Sequence, residues 1–165
     1  MTLAEAAAEA AGLADRGAER ELAELRGRWG DELEAAARSS DFRERAVAYR
    51  AIGQFRWRQK QELLRRGLED ESPACRGSAL VSIELLSRDH PGVVNSLRPL
   101  LHTLLNADGN PAVRRLVALC LTNGSPHRDT IVLLEHLSED DEEPPELRAV
   151  AKRVAATLKK AAASR

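Results

Sequence analysis

One segment pattern recurs along this chain and constrains its fold more than any other feature. It runs Asp70-x-x-Pro73-x-Cys75-Arg76-x-x-Ala79, then Asp108-x-x-Pro111-x-Val113-Arg114-x-x-Val117, then Glu142-x-x-Pro145-x-Leu147-Arg148-x-x-Ala151. A weaker copy lies upstream, with Ser40 in the proline's place followed by Phe42, Arg43 and Ala46. The arginines then fall 33, 38 and 34 residues apart, the period of stacked helical hairpins. Ser72 and Asn110 are good helix N-caps, and each proline takes the first helical position, where a missing N–H costs nothing. The apolar residue two beyond each proline and the small one six beyond share a face and bury against the preceding helix. The acid sits six residues before the Arg, within reach of an ion pair across the turn.

Composition agrees. Ala, Leu, Arg, Glu and Lys, all strong helix formers, make up more than half of the 165 residues, and only five are aromatic. The 43% hydrophobic content and a net charge of −1 argue against disorder and remove any global case for nucleic acid. No apolar run is long enough to span a bilayer, and the N-terminus has no basic, apolar leader pattern. A cytoplasmic protein with no membrane partner is the expectation. The Arg-over-Lys and Ala bias is that of a GC-rich bacterial genome. Cys75 and Cys120 stand far apart in apolar helical patterns and read as reduced, buried small hydrophobes.

Between the turns lie the partner helices. Val93, Leu97, Leu100 and Leu104 form one stripe, and Val94, Leu101 and Leu105 a second beside it, a surface wide enough to need more than one neighbour. Ile131, Leu134 and Leu137 open the next hairpin. Leu147, Ala151, Val154 and Leu158 line one face of the last helix, and Lys152, Arg153 and Lys159 the other, as in a terminal cap. Leu22, Leu25, Trp29, Leu33 and Ala36 mark the first helix of the first hairpin. Thr2 and Glu5 form a capping box, so residues 1–17 are a helical extension, either packed on the stack or frayed beyond it.

In this turn code the chain resembles the HEAT repeat family, over roughly residues 18–160. The resemblance implies an all-α fold, a right-handed α-solenoid of about four stacked antiparallel helix pairs, with residues 18–165 as the repeat domain. It also implies that the second helices line a concave binding face. Asp70, Arg76, Asp108, Arg114, Glu142 and Arg148 would then be a structural ladder binding neighbouring turns.

All five aromatics lie between Trp29 and Trp57, overlapping a basic run from Arg43 to Arg66 with eight cations against two acids. Arg45, Tyr49, Arg50, Arg56, Trp57 and Arg58 are the candidates for partner or anion binding, with Tyr49 or Trp57 offering a stacking face. The competing reading puts Phe42, Tyr49 and Trp29 in the core, the first two on a stripe with Ala46 and the adjacent Ile52 and Gly53, and leaves the arginines solvated with packed stems. His102 and His136 each precede a turn acid by six residues and would neighbour each other on stacked helices. Neither has the ligand spacing of a metal site, and no catalytic or cofactor-binding motif is spelled. The function expected is a noncatalytic scaffold binding a protein or peptide, itself included. Nucleic-acid binding through residues 43–66 is the alternative, and an enzyme or accessory factor on this fold would need a deep pocket with perturbed titratable groups.

Overall fold

The three prolines of the recurring pattern do begin helices. In the computed structural model, which describes residues 1–165, α5 starts at Pro73, α7 at Pro111 and α9 at Pro145. The chain is all-helical and falls into two compact units, residues 1–86 and 87–165.

The first unit holds α1 (Leu3–Asp15), α2 (Glu19–Ala37), α3 (Phe42–Gln54), a 3-10 turn (Arg58–Lys60), α4 (Gln61–Leu68) and α5 (Pro73–Ser87), whose last residue crosses the boundary. The capping box forms: Glu5 N–H donates to Thr2 Oγ1 and Thr2 N–H to Glu5 Oε2, at 3.2 and 2.8 Å. Helix α1 buries Leu3, Ala6, Ala7, Ala10 and Leu13, and it packs on both α2 and α3. The N-terminal segment is thus a packed helix, with no fraying. It ends in a Schellman turn, Ala18 N–H bonding Leu13 C=O and Gly17 N–H bonding Ala14 C=O, with Gly17 at φ 69°.

The helix pairs below it touch closely. Gly53 of α3 lies so near α5 that a Cβ there would stand 2.7 Å from Ser82 Cα. Ser82 is fully buried, and its Oγ accepts from Gly53 N–H at 2.9 Å while donating to Tyr49 C=O. Phe55, Ile52, Leu64, Leu68, Leu80 and Ile83 complete this core.

The second unit holds α6 (Gly92–Ala107), α7, which ends at Leu121, α8 (Arg128–Glu139) and α9, which ends at Ala163. Helix α6 packs on α7, α7 on α9, and α8 on α9. Both predicted stripes of α6 contribute to the core, with Val93, Val94, Leu97, Leu101 and Leu105 buried. Asn110 caps α7, its Oδ1 accepting from Ala112 N–H and Val113 N–H. Helix α9 is one-sided, burying Leu147, Ala151, Val154 and Leu158 and exposing Lys152, Arg153 and Lys159. No helix is long and apolar enough to cross a membrane.

Candidate functional site

The geometry of the turns decides which polar residues remain free. Asp70 accepts from Ser72 N–H, Asp108 from Asn110 N–H and Asp140 from Glu142 N–H, each at 2.9 Å. These carboxylates hold the turn by bonding a backbone N–H two residues on. Arg76 then donates to the carbonyls of Asp70 and Glu71, six and five residues back. Arg45 does the same to Ser39 and Ser40. The first copy is therefore registered on Arg45, two residues beyond Arg43, with Ser39 in the acid's place and Asp41 as the cap. In the last turn Asp140 takes the acid's part that the repeat spacing gives to Glu142, and Arg148 donates to Glu143 C=O at 3.1 Å.

Carboxylate and guanidinium pair between turns. Arg45 grips Asp70 with two hydrogen bonds, 2.8 and 3.0 Å, both side chains largely buried. Burial alone would raise the Asp70 carboxyl, but the bonds from Arg45 and Ser72 outweigh it and hold it below the usual range. In the second unit Arg114 meets Glu143 at 2.5 Å, a charge contact without a linear hydrogen bond. Within the turns Arg45, Arg76 and Arg148 meet backbone carbonyls, and Arg148 also lies 3.7 Å from the Asp141 carboxylate.

Of the six candidates for partner or anion binding, three are committed to the scaffold. Arg45 is the Asp70 clamp. Tyr49 is only 4% exposed, its ring against Gly67, so it offers no stacking face. Arg56 sits at φ 52°, closing α3 with a Schellman turn, and donates to Gly53 C=O and to Asp15. Arg26 of α2 covers the same helix end, donating to the carbonyls of Phe55 and Arg56, both at 2.9 Å.

Trp57 is half-buried. Its ring tilts against Phe55 at 5.9 Å, abuts Gly30 of α2 and lies 4.9 Å beneath the Lys60 ammonium, which in turn pairs with Glu34. One face of the indole is therefore already occupied by a cation. Arg50 and Arg58 are exposed and make no ion pair.

Phe42 departs from the core placement that its stripe suggests. It occupies the first position of α3, where other copies carry proline, and is 45% exposed with the Arg43 guanidinium 5.7 Å from its ring centre. Val47, one turn from Arg43 on the same helix, is 38% exposed. Phe42, Arg43, Val47 and Arg50 give α3 an outer surface both apolar and cationic.

A buried polar network in the second unit escaped the sequence patterns. Arg98 is 8% exposed and donates to Thr130 Oγ1, Asn95 Oδ1 and Ser125 C=O, none of them a carboxylate. His102 Nε2 lies 2.8 Å from the same Thr130 hydroxyl. His136 is exposed, and the histidine that acts on His102 is His127. The signal was present in the stripe Val94, Leu101, Leu105, whose skipped position one turn after Val94 is Arg98. A shallow groove of about 400 Å³ also runs over α8 and α9, lined by Ile131, Val132 and Lys159 among others. No group of three or more His, Cys, Asp or Glu is placed to hold a metal ion.

Comparison of the chain with protein-family models, with curated proteins and with solved structures gives no match.

Proposed function

We propose that this chain is a HEAT-like scaffold, a right-handed solenoid of about four helical hairpins behind α1, that binds a protein or peptide partner without catalysing a reaction. The observation that carries the reading is the division of labour among its polar residues. The turn acids and arginines are spent on recurring backbone and ion-pair bonds, while α3, the second helix of a hairpin, leaves Phe42, Arg43, Val47 and Arg50 to solvent. Large apolar side chains flanked by exposed cations, Arg43 only loosely paired with Asp41 at 4.0 Å and Arg50 without an ion pair, suit an amphipathic segment with an apolar anchor and carboxylates around it.

The test is affinity capture with the wild type, with V47D and with R50E, followed by titration of each purified partner. The proposal expects a partner whose affinity falls about tenfold or more with either substitution, as for loss of a central contact. Identical binding by all three chains would overturn it. The alternative, nucleic-acid binding by the exposed Arg43, Arg50 and Arg58, has its own signature in affinity for a single-stranded oligonucleotide that falls steeply with added salt.

A further inference from the structure

Helix α8 begins at a junction whose hydrogen bonds have a fixed direction. Arg98 of α6 can only donate, so its 2.6 Å bond to Thr130 Oγ1 uses a lone pair of that hydroxyl. Thr130 is fully buried, and its remaining neighbour within bonding distance is His102 Nε2, at 2.8 Å. The hydroxyl proton therefore goes to Nε2, which fixes the neutral imidazole with its own proton on Nδ1. The chain Arg98 to Thr130 to His102 ties α6 to the first turn of α8.

One residue before α8, a second imidazole acts in the same sense. His127 is the helix cap, its Nδ1 accepting from Asp129 N–H at 3.3 Å. Both ring nitrogens that hold this helix end are acceptors, and a protonated imidazole has none.

We propose that the start of α8 is a proton-operated latch, closed while His102 and His127 are neutral acceptors and released when either imidazole is protonated. Protonating Nε2 turns two donors onto one buried hydroxyl and strands its proton. It also sets a second cation beside Arg98, which has no carboxylate to offset it. Protonating His127 removes the cap and puts positive charge at the positive end of the helix.

The charged groups acting on His102 are Arg98 on its own helix and His127 and Asp129 at the start of α8. Burial, with Arg98 and His127 adding to it, lowers the His102 imidazole from its ordinary value near 6.5, and Asp129 opposes them. A histidine depressed in the folded state contributes stability above its unfolded value and loses it as pH falls through the folded one. The latch therefore holds at pH 7.5 and weakens below about 6.5.

The test is proton–nitrogen NMR of the histidine rings together with amide exchange of α8, corrected for the intrinsic pH dependence, from pH 7.5 to 5. The expected result is a His102 bearing its proton on Nδ1 and titrating below the ordinary imidazole value near 6.5. Opening of the α8 first turn should rise with acid by up to about tenfold per pH unit for each proton taken up. In H102Q an amide oxygen accepts the Thr130 proton without titrating, and in H127N the side chain caps as Asn110 does. The double variant should lose the acid-induced opening. A His102 proton on Nε2 at pH 7.5 in the wild type, or a double variant that opens with acid like the wild type, would overturn the latch.

Discussion

Arg56 and Gly17 close two helices with the same pair of backbone bonds, yet one has a side chain in the left-handed region and the other does not. An L-residue at positive φ costs about 1 kcal/mol relative to glycine, and Arg56 meets that cost with bonds to Gly53 C=O and Asp15. The Asp15 contact is exposed and contributes little. Replacing Arg56 by alanine removes the bonds and keeps the strain, whereas glycine removes both. R56G should therefore be about 1 kcal/mol more stable than R56A, read from urea midpoints at equal slope. Equal midpoints would mean that the backbone strain has been placed wrongly. The composition of the 43–66 segment made Arg56 a binding residue because charge is visible in a sequence and φ is not. What decides its role is the helix end it closes at positive φ and the bond to Gly53 C=O three residues earlier.

At the level of elements, the starts of α5, α7 and α9 were legible because proline at the first helical position has one local cause. The first copy was misregistered by two residues because Phe42-Arg43-Glu44-Arg45 offers two arginines and no proline. Counting from the N-cap removes the ambiguity: Arg45, Arg76 and Arg114 each lie four beyond Asp41, Ser72 and Asn110. Arg148 lies four beyond Pro144 in the same way. Phe42 was assigned to the core because its helical face was read without its position, and a residue in the first turn can project past the neighbouring helix. Close helix contacts, by contrast, leave a faint trace. Gly53 in mid-stripe is the only mark of the α3–α5 contact, and a methyl there would meet the backbone of Ser82. G53A should destabilise the protein by about 1–3 kcal/mol by forcing the helices apart. Because the clash is with Cα as well as Oγ, adding S82A should not restore the midpoint. A double variant as stable as S82A alone would show that only the hydroxyl stood in the way.

Taken as a whole molecule, the chain carries one cysteine in each compact unit, and both are buried, Cys75 at 0% and Cys120 at 1% exposure. Their burial could be read from the apolar helical patterns around them, because a small hydrophobe on a core stripe has no competing local structure. Cys75 Sγ also donates to Phe42 C=O at 3.2 Å, and burial pushes its thiol up, so the reactive thiolate is disfavoured as well as shielded. Each thiol can therefore be labelled only through an opening of the unit around it. In the native protein both should react with an aromatic disulfide at least about a hundredfold more slowly than in urea-unfolded chain, resolved site by site with mass spectrometry. Rapid labelling of either in native buffer would contradict its packing. The clash introduced by G53A lies within the first unit alone, between α3 and α5. Every 1.4 kcal/mol of lost stability raises an opening equilibrium about tenfold, so G53A, at about 1–3 kcal/mol, should speed Cys75 labelling by about five- to a hundredfold. Cys120 should keep its wild-type rate, since none of its surroundings in α7 is altered; an equal acceleration of both thiols would mean that the two units open as one.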